Sequence, residues 1–501
     1  MSIFGLPIKL PVFFGYTLTK ICEARISLLT ERQDNHVLYL SIKTVKMNHS
    51  NTPSIVKHLS ESVVKAAGIE PQLFEKYSVK RGLRNADHTG VLVGLTNVAD
   101  VVGYQKEGDL LVPIDGKLIY RGIDVESLVQ EALVQKRHGF DEVVYLLLSG
   151  KLPNQAELTE FMEYMGSLRE LPDEFTNSMI LTNKGQNIMN MLTRSVLGLY
   201  TLDKKAEDTS PENLVNQSLN LIAKFPTIIA YSYHAMRHFY LHKTLSIRHP
   251  NAALSTAENF LMMMKGEGKY TALEASILDL ALILHADHGG GNNSTFTIRV
   301  TSSTGTDTYS AVASAIASLK GPLHGGANHE VLCMMDNIKE NVKHWDNIQE
   351  VTDYLLKMLN KKAYDRSGKI YGIGHAVYTI SDPRAILLKK QARELAKEKN
   401  RLEEFELYEL IENLAPQIFY DFKGDKVAKR VCANVDFYSG FVYNCIGIKE
   451  PVYTPLFAMS RIAGWCSHRL EELSFGARRI IRPAYKNVFP QQSYVQLKDR
   501  D

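Results

Sequence analysis

The stretch Gly321-Pro322-Leu323-His324-Gly325-Gly326-Ala327-Asn328 holds one histidine between glycines, directly after a run of small and apolar residues. That run, DTYSAVASAIASL at residues 307–319, predicts a helix capped by Asp307, and its alanines and serines would let another helix pack closely. Pro322 cannot continue a helix, and the glycines leave room beside the histidine for a ligand or for backbone. His324 is therefore expected at a helix end, facing a gap. Taken alone, this stretch is explained more simply by a hydrogen-bonded histidine in a turn.

The segments on both sides of this stretch have the apolar periodicity of helices. Residues 271–287 are apolar on nearly every side between Ile277 and Leu284, which predicts a helix inside the protein rather than on its surface. A buried helix is predicted at residues 140–148, and helices with one apolar face at residues 56–67 and after Ser210-Pro211. Highly charged surface helices are predicted at 348–361 and 383–407.

Short β-like runs precede the helical region. Residues 91–95 (VLVGL) form one such run, and residues 109–114 (DLLVPI) lead through Asp115-Gly116 into KLIY at 117–120. Asp-Gly between two apolar runs predicts a hairpin turn. From Gly122 onward the pattern is helical almost throughout, so we expect an all-α fold with a minor β-hairpin near the N-terminus.

Composition excludes several classes of protein. The 501 residues are 45% apolar, which is ordinary for a globular protein, and the formal net charge is only +3. We therefore expect no nucleic-acid partner, and any anion must be bound by local arginines. The cysteines form no CxxC pair, which fits a reducing compartment and argues against a metal–thiolate site. They are Cys22, Cys333, Cys432, Cys445 and Cys466.

The N-terminal residues 1–46 are treated separately. Their apolar opening is broken by Pro7, Lys9 and Pro11, which is poor for a signal peptide and too short to span a bilayer. Met47 begins a polar lead-in that resembles an ordinary N-terminus. We expect a dispensable extension, a cytoplasmic protein and no membrane segment.

Five short clusters carry side chains suited to chemistry. They are HADH at residues 285–288, His324, YGIGH at 371–375 followed by DPR at 382–384, NVDFYSG at 434–440, and the arginines Arg461 and Arg482. Each cluster alone has an ordinary structural explanation, such as a helix cap or an ion pair. His285 and His288 share a helix face and could bind a metal, but no third ligand follows at metal spacing, so we expect none.

Taken together, the clusters indicate one kind of chemistry. Three arginines in apolar company, with no matching acid nearby in the sequence, suggest a small polycarboxylate ligand, because a desolvated guanidinium needs an anion. A desolvated aspartate gains basicity and could remove a proton from carbon. Neutral histidines could donate hydrogen bonds to carbonyl oxygens. The expected reaction is enolisation of a carbonyl compound, followed by attack on a polycarboxylate acceptor.

The same clusters resemble the signature segments of the citrate synthase family. The matching segments are GPLHGGAN at 321–328, GIGHAVY with DPR at 372–384, and NVDFYSG at 434–440, with LIYRGI at 118–123 and FAMSRIAGW at 457–465 in support. The likeness runs from about Gly82 to Pro483. It implies an obligate homodimer and an almost wholly α-helical fold with a large and a small domain. The implied division is an unmatched extension at 1–46, the large domain at 47–324 and 437–501, and the small domain at 325–436.

The resemblance also implies roles for the reacting groups. Asp436 would take a methyl proton from acetyl-CoA, while His324 holds the thioester oxygen. His375 would polarise the ketone of oxaloacetate. Acetyl-CoA is a substrate in this reaction, so no cofactor and no metal is implied.

Further residues are implied to bind the two substrates. His288, Arg384 and Arg461 would bind the carboxylates of oxaloacetate, and Arg482 corresponds to an arginine that the family supplies to the partner subunit. The residues implied to contact CoA are Lys369, Tyr371, Gly372, Ile373 and Gly374.

Two alternatives stay open at this point. A 2-methylcitrate synthase would use propanoyl-CoA with the same residues, and one methylene changes discrimination by only about 1 to 3 kcal/mol. A non-enzymatic helical scaffold with a His-x-x-His metal site is the second.

The chain departs from many family members at Gly289, where those members carry glutamate.

Overall fold

The computed structural model of the protein describes residues 53–500, apart from residues 86, 88, 109, 424–429 and 477–478. The extension predicted at residues 1–46 lies outside the described residues. The chain forms two compact units, Met1–Leu73 and Phe74–Asp501. The described part of the first unit contains helix α1, Ser54–Ala66, which confirms the helix predicted at residues 56–67.

Helices make up most of the described chain, so the predicted all-α class with a minor hairpin is confirmed. The helices after α1 are α2 Pro71–Lys76, α3 Val125–Val134, α4 Phe140–Ser149, α5 Gln155–Ser167, α6 Asp173–Phe175, α7 Ile188–Leu199, α8 Pro211–Leu241, α9 Thr256–Lys265, α10 Ala272–His285, α11 Asn293–Ser302, α12 Thr308–Lys320, α13 Pro322–Gly325, α14 Ala327–Asn341, α15 Ile348–Leu359, α16 Pro383–Glu398, α17 Leu402–Lys423, α18 Val435–Cys445 and α19 Tyr453–Ser474. The strands are β1 Ala99–Glu107, β2 Leu110–Tyr120 and β3 Ile123–Asp124. Within the described ranges, no helix combines the length and the apolar character that crossing a bilayer requires.

Helix α12 forms where the alanine-rich run predicts it. Asp307 caps the helix, because its carboxylate accepts a hydrogen bond of 2.8 Å from the Ser310 N–H. Ala311 and Ala315 are fully buried, and the helix packs against α7, α11 and α19. These small side chains allow close helix packing, which fixes the position of the residues that follow α12.

Helices α10 and α19 pack together in the interior of the second unit. Every residue of α10 from Ile277 to His285 is buried, as its all-round apolar character predicts. Gly464 of α19 donates its N–H to the Ala286 carbonyl at 3.1 Å, and a Cβ at this glycine would lie 2.3 Å from an Asp287 carboxylate oxygen. Glycine therefore permits an approach that brings Arg461, nearly one turn earlier in α19, to the end of α10.

The strands form one antiparallel sheet in the order β1-β2-β3. The prediction of a hairpin turn at Asp115-Gly116 is wrong, because both residues lie within β2. Opposite them, the register of β1 against β2 shifts between Val102 and Tyr104. The chain reverses earlier, after Gly108, whose φ is 62°. The glycine at 116 serves packing instead: a Cβ there would lie 2.3 Å from the Ser381 carbonyl oxygen, so the strand passes unusually close to that loop.

Two further predictions need correction. Residues 91–95 are not a strand but an irregular and mostly exposed segment, because they lie outside the three-stranded sheet and so lack a partner strand among the described residues. The amphipathic segment at 383–407 is not one helix but α16 and the beginning of α17. Asn400, with a φ of 53°, separates the two helices.

Candidate active site

The histidine of the glycine-rich stretch lies in the short helix α13, directly after α12. A Cβ at Gly325 would lie 2.2 Å from the Leu319 carbonyl oxygen, so this sharp return of the chain requires glycine. The Gly325 carbonyl in turn accepts a hydrogen bond of 2.8 Å from the Thr454 hydroxyl of α19. The residue that follows His324 is therefore held against both α12 and α19.

The hydrogen bonds of His324 identify its protonation state. The Ser294 N–H donates to His324 Nε2 at 3.3 Å, so Nε2 carries the lone pair and Nδ1 carries the proton. Ser294 Oγ lies 3.1 Å from the same nitrogen and accepts a 3.1 Å hydrogen bond from the Trp465 indole N–H. Burial, together with the charge of Arg461, lowers the pKa of His324 to about 4. The imidazole is therefore neutral at pH 7, and its Nδ1–H is a hydrogen-bond donor.

His375 has the opposite tautomer. Its Nδ1 accepts hydrogen bonds of 3.0 Å from the N–H groups of both Val377 and Tyr378, so the proton is on Nε2. Its ring stacks on the Tyr378 ring, with centroids 4.7 Å apart, and meets the His288 ring edge to face at 5.2 Å. Two predicted site histidines therefore lie side by side.

Backbone hydrogen bonds join the His375 loop to the segment that holds the candidate base. The Gly374 N–H donates to the Cys432 carbonyl at 2.8 Å, and the Asn434 N–H donates to the Gly372 carbonyl at 2.9 Å. The Asn434 side chain also donates to the Gly374 carbonyl at 2.9 Å. Gly372 and Gly374 have φ values of 78° and 106°, which side chains rarely tolerate, so the glycines of YGIGH have a conformational role.

Asp436 lies in the first turn of α18. Its N–H donates to the Asn434 side chain at 3.0 Å, so asparagine rather than aspartate caps this helix. Burial raises the pKa of Asp436 to about 6, although the nearby charges of Arg384 and Arg461 lower it. The carboxylate is thus a stronger base than an exposed aspartate and is still ionised at pH 7.

Arg461 is fully buried and only partly paired. Its Nε donates to the His285 carbonyl at 2.6 Å, but its Nη1 and Nη2 atoms have no hydrogen-bond partner among the described residues. Burial lowers its pKa to about 10, so the guanidinium stays charged at pH 7. His288 Nε2 is also buried without a partner in the described chain, and burial holds the pKa of His288 well below its usual value. A buried guanidinium with such nitrogens is suited to bind an anionic ligand.

The surroundings of Arg384 contradict the prediction from sequence that no acid lies near the three arginines. It forms a buried two-point ion pair with Asp382, with Nη2–Oδ2 and Nε–Oδ1 distances of 2.8 and 3.0 Å. The prediction was wrong here because the aspartate of DPR suggests only a helix cap, and Asp382 also caps α16 through the Arg384 N–H. Arg384 still lies within electrostatic reach of His288 and Asp436.

His285 forms a hydrogen bond within its own helix. Its Nδ1 donates to the Ala281 carbonyl at 2.7 Å, and burial lowers its pKa to about 3. Throughout the described residues, no group of three or more histidine, cysteine, aspartate or glutamate side chains is arranged to hold a metal ion.

Two of the remaining predicted residues, Arg482 and Lys369, lie at the surface. Arg482 is exposed on the C-terminal segment, next to Ile481, whose N–H donates to Ser303 Oγ at 3.1 Å. The structure does not bring it into the buried cluster. In the predicted CoA loop, Lys369 is exposed with its ammonium 6.0 Å from the centre of the Tyr371 ring. CoA contacts and the role of Arg482 remain predictions.

Sequence reasoning missed several residues of this cluster. Tyr378 and Trp465 lie inside the motifs that were recognised, but nothing in their spacing distinguishes them from core aromatics. Ser294 contacts His324 from 30 positions away along the chain. Asp287 accepts a hydrogen bond of 3.1 Å from His468 Nε2, and both are fully buried. Only the fold brings these pairs together.

Comparison with known proteins gives a consistent result. The family described as "Citrate synthase, C-terminal domain" matches residues 87–484. Citrate synthase from Deinococcus radiodurans is 38% identical over 77% of this chain and 93% of its own length. The crystal structure of citrate synthase from Pyrobaculum aerophilum has a TM-score of 0.67 and 30% identity, covering 82% of this chain and 94% of that one.

A third relative is similar in fold at lower identity. Citrate synthase from Thermoplasma acidophilum, solved as a ternary complex with carboxymethyl coenzyme A and oxaloacetate, has a TM-score of 0.68 and 26% identity. The match covers 84% of this chain and 99% of that one. The sequence motifs, the helical fold and these relatives agree, and the chain belongs to the citrate synthase family of acyltransferases.

Proposed function

We propose that this protein condenses acetyl-CoA with oxaloacetate and hydrolyses the resulting citryl-CoA to citrate and CoA. The observation that carries the proposal is one cluster of side chains around the buried Arg461. In it, a carboxylate of raised pKa and two histidines of opposite tautomer accompany a guanidinium with two nitrogens that lack a partner among the described residues. Each group fits a different demand of this reaction.

The first step is removal of a methyl proton from acetyl-CoA. The Asp436 carboxylate accepts the proton, and its pKa of about 6 makes it more basic than an exposed aspartate. His324 donates its Nδ1–H to the thioester oxygen, where negative charge develops. A neutral imidazole can do this because Ser294 occupies the other ring nitrogen.

The second step forms the carbon–carbon bond. The enol carbon attacks the ketone carbon of oxaloacetate, and His375 Nε2–H donates to the ketone oxygen and transfers its proton to it. Arg461, Arg384 and His288 bind the carboxylates of oxaloacetate, and two nitrogens of Arg461 have no other partner in the described part of the chain. Water then cleaves the thioester of citryl-CoA, which releases citrate and CoA.

The assembly proposed for this activity is a homodimer in which Arg482 of the partner subunit completes each site. Its exposure on the C-terminal segment is consistent with that role. We also propose that residues 325–436 form a small domain that closes on oxaloacetate, with residues 369–374 contacting CoA. The reaction needs no metal or resident cofactor, and the proposed setting is the tricarboxylic acid cycle of the cytoplasm.

The test mixes the protein with oxaloacetate and either acetyl-CoA or propanoyl-CoA. A thiol reagent measures the free CoA that is released. We expect the higher kcat/KM with acetyl-CoA. Higher kcat/KM with propanoyl-CoA would assign a 2-methylcitrate synthase instead. Absence of CoA release with both would contradict the proposed function.

A further inference from the structure

Tyr378 packs against the proposed oxaloacetate site, although neither its motif nor the proposed mechanism gives it a role. Its side chain is fully buried and touches three residues of that site. It stacks on His375 at 4.7 Å with the planes 22° apart, and it meets His288 edge to face at 5.7 Å. The Arg384 guanidinium lies 5.8 Å from its ring centre. One ring thus contacts both histidines and one arginine proposed to bind oxaloacetate.

The ring is anchored from the opposite side by the β1–β2 ribbon. The Tyr378 hydroxyl donates to the Lys117 carbonyl of β2 at 3.2 Å. A Cβ at Gly116 would lie 2.5 Å from the ring, and a Cβ at Gly103 of β1 would lie 2.7 Å from the Val377 carbonyl oxygen. The two glycines therefore let the strands press directly against the loop.

The contact between ribbon and loop has a second attachment. Ser381 Oγ donates to the Asp115 carboxylate at 2.8 Å and accepts a hydrogen bond of 3.2 Å from the Gly116 N–H. This attachment involves the same strand as the Tyr378 anchor but is not among the ring contacts with the histidines. It offers a matched control, because it can be removed while the ring stays in place.

The backbone and the side chain of Tyr378 affect His375 differently. The backbone N–H selects the tautomer, since it donates to Nδ1, and any residue at this position would keep it. The ring stacks on the imidazole with the two planes 22° apart, so it limits the tilt of that plane and with it the direction of the Nε2–H. A hydrogen bond to a carbonyl weakens steeply as its angle departs from linear. The ring is thus suited to aim the donor at a ketone oxygen.

We propose that Tyr378 is a positioning residue that aims His375 at the ketone of oxaloacetate, and that the β1–β2 ribbon holds it through the Lys117 carbonyl. The inference rests on the proposed function. A ring that served only as core filling would affect stability alone. A positioning ring also affects how strongly the bound ketone is polarised.

The experiment compares Tyr378→Phe, Tyr378→Leu and the control Ser381→Ala. Loss of the ring in Tyr378→Leu should lower kcat by about 10- to 100-fold, with a smaller change in KM for oxaloacetate because Arg461 still binds the carboxylates. Loss of the hydroxyl in Tyr378→Phe should lower kcat by about 2- to 10-fold. Ser381→Ala should keep kcat within about twofold, because the ring and its anchor remain.

A spectroscopic measurement separates positioning from packing. The carbon-13 resonance of the ketone of labelled oxaloacetate should move downfield on binding to the wild type, because His375 polarises the carbonyl. Tyr378→Leu should lose most of that displacement, Tyr378→Phe part of it and Ser381→Ala none. If Tyr378→Leu does not fold, Tyr378→Phe decides.

The outcomes that overturn the inference are distinct from failure of the proposed function. Wild-type kcat and resonance in a folded Tyr378→Leu would refute the role of the ring. Wild-type kcat and resonance in Tyr378→Phe, together with a loss of both in Tyr378→Leu, would refute the role of the β1–β2 ribbon. Equal defects in Ser381→Ala and Tyr378→Phe would show a general effect of the loop and would also refute it. A wild-type protein that neither binds oxaloacetate nor releases CoA would instead refute the proposed function.

Discussion

Replacement of Asp436 by asparagine should stabilise the protein while it removes the catalytic base. Burial raises the pKa of this carboxyl from 3.8 to about 6, so the folded chain holds its proton more tightly than the unfolded chain. The ionised form therefore destabilises the fold. The cost develops as the pH rises from 3.8 toward 6 and is complete above the folded pKa. Roughly two pH units at about 1.4 kcal/mol each give an upper value of about 3 kcal/mol.

The assay is the free energy of unfolding in urea, measured between pH 4 and pH 8 for the wild type and Asp436→Asn. The variant should be more stable by up to about 3 kcal/mol at pH 7 to 8, and the difference should vanish near pH 4. Asp353→Asn is the matched control, because Asp353 is exposed on α15. A difference that is independent of pH, or an Asp436→Asn variant less stable than the wild type at pH 8, would refute the reasoning.

Three further predictions concern catalysis. Arg461→Ala should raise the Kd for oxaloacetate by about 10- to 150-fold in calorimetry, since charged hydrogen bonds contribute about 1.5 to 3 kcal/mol; an unchanged Kd would contradict the assignment. Trp465→Phe should lower kcat by about 2- to 10-fold through loss of its hydrogen bond to Ser294 Oγ. The control Trp345→Phe loses a hydrogen bond to the Val342 carbonyl and should keep the wild-type kcat. Equal losses of kcat in the two variants would refute the role of Trp465. Finally, kcat/KM for acetyl-CoA should be flat above the Asp436 pKa of about 6 and fall tenfold per pH unit below it, because the base must be ionised. A profile still flat at pH 5 would contradict this.

The sequence predicted the helices well where apolar periodicity and capping agree. Residues 277–284 are apolar on all sides, and the helix that contains them is buried on all sides. Asp307 caps α12 as expected. The turn at Asp115-Gly116 was predicted wrongly, because its glycine accommodates a loop more than 200 residues later in the chain. Local turn preference carries no information about such a contact.

The sequence predicted only part of the candidate site, and the reason is again contacts between residues distant in the chain. The motifs contained His324, His375, Asp436 and Arg461, whose glycine-rich or apolar surroundings mark them as unusual. The contacts that set their protonation come from residues distant in sequence, such as Ser294, or from backbone N–H groups, which carry no sequence signal. Arg384 illustrates the converse, because its partner Asp382 is only two residues away and yet no acid was predicted beside the three arginines.

The central claim is that Asp436 removes the proton that starts the reaction in a site where Arg461 binds oxaloacetate. The most direct test measures CoA release from acetyl-CoA and oxaloacetate, together with oxaloacetate binding, in the wild type and in Asp436→Asn. The account predicts that the variant loses CoA release by at least about 100-fold and still binds oxaloacetate with the wild-type Kd. A variant that releases CoA at the wild-type rate would contradict it.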